Sequence, residues 1–429
     1  MRVDRGVVVM LMAVAILSAA AAYGISSMVR TTEVVTITEK LPQYVTVLTT
    51  LTTIDRTTVT VTSTQVVKET TVTTATITTV ATVRVSPPVS PLGTLVIMGG
   101  RTFDEAFLEV LRATGKEKPR VGVIPTASST PEETGREYVD MIKGYGAEGV
   151  LIDITERNCA KTAYEQQYVE LVKSLDAVFF TGGDQNRITK CLVPGGSPTP
   201  ILEALWNLYL RGSVISGNSA GAAIMSDPMI GGGIDERVII TRGLGFLMYG
   251  QVIVDQHFLA RGRVIRLLEA LAQTSTRLGV GIDEGAALVC YGNHTCRVIG
   301  SAPVVVFVYE GSNGTHYIYR LNYLTPGDSI NLKTLRVDIG PNKRAVSISG
   351  DSTTSTDVDV KTQNGLSLII SLLTRNREVS IRALSESRKF SYQFTLARTG
   401  KTEIYETGFY DPVRYTAIEI LLYISKVGL

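Results

Sequence analysis

The sequence predicts an α/β fold, a parallel sheet with helices on both faces, and three observations carry that prediction. Short apolar runs alternate with helical stretches: Leu95-Val96-Ile97-Met98, Val121-Gly122-Val123-Ile124, Val150-Leu151-Ile152-Asp153-Ile154 and Ala177-Val178-Phe179-Phe180. Unbroken apolar character is what a strand buried on both faces requires. Between these runs, Phe103 to Ala113, Pro131 to Tyr145 and Tyr164 to Ser174 read as amphipathic helices. The second carries Glu132 and Glu133 in its first turn, where acidic groups meet the positive end of the helix dipole. Finally, Val214-Ile215-Ser216 breaks into Gly217-Asn218-Ser219-Ala220-Gly221, which reads as strand, tight turn and helix start.

The segments before this region are of another kind. The chain has 429 residues and is 44% apolar, enough for two or three domains with a substantial core. Its 42 basic and 40 acidic side chains nearly balance, and the absence of a dense basic run with interleaved aromatics excludes a nucleic-acid partner. Met1 to Arg5 includes two arginines, and Gly6 to Met28 then contains no charged residue. A stretch of about 23 residues is long enough to span a bilayer. Residues 1–30 are therefore expected to form a membrane anchor, the competing reading being a signal peptide cleaved near Ala19 to Ala22. Either exports the rest of the chain.

Residues 31–90 contain 22 threonines, 13 valines and no glycine. Segment 31–92 reads as a low-complexity stalk, its β-branched residues favouring extended backbone, with a β-rich or self-associating stalk as the alternative. Pro87, Pro88 and Pro91 mark the boundary to the domain expected over 93–335. Cys290 and Cys296 flank a turn and are placed to bridge a hairpin, while Cys159 and Cys191 each follow a strand-like run. Their spacing does not suit a zinc site, and three histidines in the chain make a metal centre a poor expectation. The sequons Asn293-His294-Thr295 and Asn313-Gly314-Thr315 are compatible with surface glycosylation.

In a parallel sheet, ligands gather at the carboxyl ends of the strands. Those ends carry Gly99-Gly100, Thr126-Ala127-Ser128-Ser129, Thr181-Gly182-Gly183-Asp184-Gln185 and the Ser219 turn. Glycines two residues either side of Ser219 give room for a strained elbow that presents the hydroxyl as a nucleophile. Gly182-Gly183 can bring a backbone N–H close to a reacting carbonyl oxygen. Gly231-Gly232-Gly233 lacks the strand, lysine and serine of a phosphate loop. By elimination the base is His257, which follows the strand-like Val252-Ile253-Val254. A carboxylate to orient it is available from Asp255, Asp235, Asp283 or Glu284, and chemistry alone does not choose among them. Arg261, Arg263 and Arg266 follow within nine residues of His257, and guanidinium forks match carboxylate oxygens, so an acidic substrate is expected.

Together, Thr181-Gly182-Gly183-Asp184-Gln185, Gly217-Asn218-Ser219-Ala220-Gly221-Ala222, Asp255-Gln256-His257-Phe258 with Arg261 and Arg263, and Gly281-Ile282-Asp283-Glu284 resemble the cyanophycinases. These are serine peptidases related to the aspartyl dipeptidase peptidase E, and the resemblance covers roughly 93 to 310. It implies a flavodoxin-like sheet of the class I glutamine amidotransferase kind. It also implies a triad of Ser219, His257 and Glu284, an oxyanion site at the N–H groups of Gly183 and Ala220, and a substrate pocket lined by Gln185, Asp255, Gln256, Arg261, Arg263 and Arg266. Such enzymes release β-Asp-Arg dipeptides from an arginine-decorated aspartyl polymer and need no metal or organic cofactor. An amidotransferase is disfavoured because the elbow carries serine rather than cysteine.

Two departures stand out. The anchor and stalk imply an extracellular domain, where an intracellular storage polymer is not expected, so β-aspartyl or aspartate-rich peptides are the expected substrates. Beyond Tyr317 to Leu335, residues 336–404 read as β segments with Asp/Ser/Thr-rich turns, and Tyr410 to Lys426 as a closing amphipathic helix. The rival reading is an inactive surface module that binds or supports the cell envelope. The expected partners are the peptide substrate and the membrane, and a homodimer is compatible with the sequence.

Overall fold

The computed structural model describes residues 45–55, 58–67, 76–82, 93–292 and 294–428. The chain divides into two compact units, Met1–Ser86 and Pro87–Leu429. In the first, β1 (Val45–Asp55), β2 (Thr58–Val67) and β3 (Thr76–Thr82) form an antiparallel sheet in that order. Threonine and valine branch at Cβ and favour strands, so the described segments within the stretch read as a spacer are hydrogen-bonded β structure. The uncharged segment Gly6 to Met28 lies outside the described residues. Among the described residues no helix is long and apolar enough to cross a membrane.

The second unit opens with β4 (Thr94–Met98), α1 (Asp104–Ala113), β5 (Arg120–Ile124), α2 (Pro131–Gly144), β6 (Glu148–Leu151), α3 (Gln166–Lys173) and β7 (Ala177–Phe180). It continues with α4 (Gln185–Leu192), α5 (Pro200–Leu210), β8 (Val214–Asn218), a hairpin of β9 (Met229–Ile234) and β10 (Arg237–Thr241), and β11 (Val252–Gln256). Then come α6 (Val264–Thr274), β12 (Leu278–Ile282), β13 (Ala286–Cys290), β14 (Thr295–Gly300), β15 (Val304–Ser312), β16 (Tyr317–Leu324), β17 (Ser329–Asn331), β18 (Val337–Asp338) and β19 (Arg344–Ala345). The last elements are β20 (Thr353–Thr356), α7 (Gln363–Leu373), β21 (Glu378–Leu384), β22 (Phe390–Ala397), β23 (Glu403–Glu406) and β24 (Tyr415–Gly428).

The predicted parallel sheet is present as the block β4-β8-β7-β5-β6, every neighbouring pair parallel. It is mixed rather than purely parallel, because β13 joins β4 antiparallel and β14, β17 and β18 continue outward. A second sheet runs β11-β12-β15-β16-β24-β22-β21-β20. The strands leading to His257 and Glu284 belong to this second sheet, where β11 and β12 are parallel neighbours. The two sheets meet where the chain passes from β12 through Asp283-Glu284-Gly285 into β13.

Two readings of the C-terminal region are corrected. The expected closing helix over Tyr410 to Lys426 is instead β24, which lies between β16 and β22. Ile420, Leu422 and Ile424 are buried while Leu421 and Tyr423 between them are only partly so. That period of two, with β-branched Thr416, Ile418, Ile420 and Ile424, suits a central strand. Conversely, the region read as all β contains α7. Its Leu366, Ile369, Ile370 and Leu373 are buried at helical spacing, and the Thr362 hydroxyl caps it by accepting from the Gly365 N–H. One apolar core joins Leu267, Phe307 and Tyr319 to Leu366, Ile370, Phe394 and Leu422. Residues 336–428 therefore complete the core of the second sheet.

Two disulfides form, Cys159–Cys191 and Cys290–Cys296. The second crosses the β13–β14 hairpin between directly paired residues. The first ties the turn at Cys159–Thr162 to α4, the helix that follows the Gly182-Gly183 loop. On loop-closure entropy, a sequence separation of 32 against 6 corresponds to about 4 against about 2 kcal/mol. We expect Cys159→Ser/Cys191→Ser to lower the thermal midpoint by about 5 °C in a calorimetric scan. An unchanged midpoint would show that the bridge constrains nothing.

Candidate active site

Three chain segments converge on the end of β4, and backbone hydrogen bonds hold each one there. The Ser219 N–H donates to the Met98 carbonyl at 3.0 Å, the His257 N–H to the Gly99 carbonyl, and the Gly285 N–H to the Gly100 carbonyl at 3.0 Å. Ser219 adopts φ 55° and ψ −110°, and His257 has φ 48°. Positive φ costs energy in residues with a side chain, and such conformations concentrate where function needs them. At Ser219 the turn is stabilised because the Ala222 and Ala223 N–H groups donate to its carbonyl.

Gly100 makes the room for the histidine. Its φ is +133°, and a Cβ there would lie 2.2 Å from His257 Cε1 and 2.4 Å from Nδ1. The imidazole fills the space a side chain would occupy. Ser219 Oγ stands 2.8 Å from His257 Nε2, and His257 Nδ1 stands 2.7 Å from Glu284 Oε1. Of the carboxylates that chemistry left open, Glu284 is thus the one against the imidazole. Its other oxygen, Oε2, forms an ion pair with Arg101, with Nε at 2.9 Å. This geometry places a base within reach of a hydroxyl and a carboxylate behind the base.

Electrostatics match that arrangement. Burial holds the His257 pKa below its ordinary value, opposed by the Glu284 hydrogen bond and reinforced by the charges of Arg261 and Arg263. The hydrogen bond from His257 lowers the Glu284 pKa, and the positive charges of Arg101 and Arg261 act in the same direction. Near neutral pH the imidazole is neutral and the carboxylate ionised.

The Gly182-Gly183 loop lies beside Ser219. A Cβ on Gly182 would be 3.4 Å from Ser219 Cβ. Gly183, with φ +140°, packs backbone to backbone, because a Cβ there would come within 2.0 Å of the Ala127 carbonyl oxygen. Neither the Gly183 nor the Ala220 N–H donates to a backbone carbonyl among the described residues. Among those residues no group of three or more histidine, cysteine or acidic side chains converges to hold a metal ion.

The residues expected to line a pocket separate into a closed network and an open rim. Asp255, 1% exposed, accepts from both Arg266 Nε at 3.0 Å and Arg266 Nη2. Arg263 Nη1 donates to the Gln256 carbonyl and to its side-chain Oε1 at 2.6 Å, and burial brings the Arg263 pKa down to about 10. Gln185 Nε2 donates to the Ile230 carbonyl at 2.9 Å, against β9. Arg261 is exposed, and its guanidinium makes no hydrogen bond or ion pair with another described residue. Arg101 was not anticipated from the sequence. The signal was its place directly after a buried strand and a glycine pair, but nothing local indicates that it meets a carboxylate 183 positions away.

Because the Gly100 position is filled by the imidazole, Gly100→Ala should displace His257 and lower the rate at which an organophosphonate labels Ser219 by about 100-fold. An unchanged labelling rate in a folded variant would mean that the ring does not need this space.

The signature of peptidase family S51 matches residues 95–298. The cyanophycinase of Geminocystis herdmanii (strain PCC 6308) is 33% identical over 263 residues, covering 56% of this chain and 94% of the relative. That of Trichormus variabilis (strain ATCC 29413 / PCC 7937) is 31% identical over 273 residues, covering 58% and 89%. A solved peptidase from an acI-B1 actinobacterium superposes with a TM-score of 0.44 at 22% identity, covering 57% of this chain and 98% of its own. Identity of this order across nearly the full length of the curated relatives makes the chain a member of peptidase family S51, a cyanophycinase-like serine-type peptidase.

Proposed function

We propose that this peptidase is membrane-tethered and extracellular, and that it cleaves β-aspartyl or aspartate-rich peptides through a Ser219–His257–Glu284 triad and an acyl-enzyme. The observation that carries the reading is the unbroken hydrogen-bond chain from Ser219 Oγ through both imidazole nitrogens to Glu284. A module that only binds has no need of a base within reach of a hydroxyl.

In this mechanism Ser219 Oγ attacks the scissile carbonyl as its proton passes to His257 Nε2. Glu284 fixes the tautomer with Nδ1–H and stabilises the imidazolium that forms. Arg101 on Oε2 keeps the carboxylate oriented. The N–H groups of Gly183 and Ala220 receive the developing oxyanion, a contribution worth roughly 3 kcal/mol per donor in comparable sites. His257 then returns its proton to the leaving amine, and water releases the acyl group by the same path.

The substrate class follows from the relatives, which are cyanophycinases, and from the chemistry of the rim. Arg261 is an exposed cation near His257 with no ion pair among the described residues, and we assign to it the reading of a substrate carboxylate. Asp255 with Arg266, and Gln256 with Arg263, are instead committed to one another. Two disulfides support an oxidising compartment, and the uncharged Gly6 to Met28 supports tethering through 1–30 with 31–92 as the stalk.

Ser219→Ala should reduce dipeptide release from an aspartyl polymer by at least about 1,000-fold; equal rates in the two proteins would contradict the triad. A protonated His257 cannot accept the serine proton, so kcat/KM should fall as pH drops, with a midpoint below the ordinary imidazole value of about 6.5. Arg261→Ala should raise that midpoint, because it removes one of the charges that hold the pKa down. It should also raise KM for substrates with a free carboxylate more than for their neutral esters. Equal loss on both would assign Arg261 a structural role.

A further inference from the structure

The Glu284 side chain is fixed by His257 and Arg101, but its backbone is fixed by the residue before it. Asp283 Oδ1 accepts from the Glu284 N–H and from the Ala260 N–H, each at 2.9 Å. Ala260 lies on the turn that carries His257 and Arg261, whose N–H donates to the His257 carbonyl at 3.0 Å. One carboxylate oxygen therefore joins the carboxylate loop to the histidine loop. Asp283 is 0% exposed, so bulk water cannot replace a hydrogen bond it loses to the protein. The donor to its second oxygen, Oδ2, is the side-chain amide of Gln363.

Gln363 lies far from the family signature, which ends at residue 298, and opens α7 in the C-terminal region. We propose that Gln363 is a positioning residue for the catalytic carboxylate: by holding Asp283 it fixes the backbone of Glu284 and of the His257 loop, so residues 336–428 carry part of the catalytic scaffold. This rests on the triad reading above.

The physical case is the cost of leaving a buried carboxylate oxygen bare. Burial already drives the Asp283 pKa up, and the three hydrogen bonds oppose that shift. The ionisable groups facing it are Glu284, which shares the loop, and the buried Tyr323. No lysine or arginine forms an ion pair with Asp283 among the described residues. Without the amide, Oδ2 must take up a proton or turn toward water, and either change weakens the acceptor for the two N–H groups on Oδ1. The effect should fall mainly on the alignment of the triad, because proton transfer demands closer placement than a carboxylate contact by Arg261, which shares the Ala260 turn.

The test uses the full chain with four substitutions made singly: Gln363→Leu, Gln363→Glu, the exposed Leu368→Ser on the same helix as a control, and Ser219→Ala. Kinetics on an aspartyl dipeptide polymer are recorded across pH, with thermal midpoints for each protein. We expect Gln363→Leu to lower kcat about 10-fold with KM within about 2-fold, and Leu368→Ser to match the parent. In Gln363→Glu a protonated carboxyl can donate to Asp283 Oδ2, whereas an ionised one repels it. That variant should recover activity as pH falls and lose it as pH rises, giving a bell-shaped profile where the parent has a plateau. Parental kcat in both Gln363 variants would overturn the proposal. So would a loss that follows only the folded fraction, with the parental pH profile kept in Gln363→Glu. Full activity in Ser219→Ala would instead remove the triad on which the proposal stands.

Discussion

Three consecutive carbonyls at the end of β4 are the constraint on which the site depends. Met98, Gly99 and Gly100 accept the N–H groups of Ser219, His257 and Gly285 respectively, so one short segment sets the positions of Ser219, His257 and the loop that carries Glu284. The arrangement matters because these groups come from two sheets. Ser219 ends a strand of the parallel block, whereas His257 and Glu284 end neighbouring strands of the second sheet. Sheet packing alone tolerates shifts that proton transfer does not, and backbone hydrogen bonds to a common segment remove that slack. Glycine at 100 follows from the same constraint, since the imidazole occupies the volume its side chain would fill.

Charge is distributed around this core in two layers. Asp255 and Arg266 neutralise one another in the interior, where a single unpaired member would be strongly destabilising. Their pairing stiffens the start of α6 behind the histidine turn. Arg101 and Arg261 are both exposed, Arg101 paired with Glu284 and Arg261 without an ion pair among the described residues. Positive charge thus faces solvent, while burial together with the charges of Arg261 and Arg263 holds the His257 pKa down beneath it.

Much of this could be read from the residues. The unbroken apolar runs at 95–98, 121–124 and 177–180 gave strands with small boundary errors, because burial on both faces leaves a composition few other structures share. The strained serine was legible for a local reason, as glycines flank it on both sides. The second sheet was not legible: β11 and β12 look like further strands of the first, and only long-range pairing separates them. β24 was misread because its clustered Ile and Leu residues satisfy a helical pattern as readily as a β one until the burial of alternate residues is known. The run Arg261, Arg263 and Arg266 looked uniform in sequence. Partners distant in contact, not in composition, divide it into one exposed and two committed guanidiniums. Gln363 had no signal at all, since an isolated glutamine at a helix start resembles any other.

The most direct measurement is a crystal structure of the protein after reaction with an organophosphonate, which traps the tetrahedral geometry. Phosphorus should be bonded to Ser219 Oγ, with one phosphoryl oxygen within hydrogen-bond reach of the Gly183 and Ala220 N–H groups and His257 still seated over Gly100 with Nδ1 on Glu284. Phosphorus on another residue, or a phosphoryl oxygen turned away from both N–H groups, would contradict the proposed mechanism.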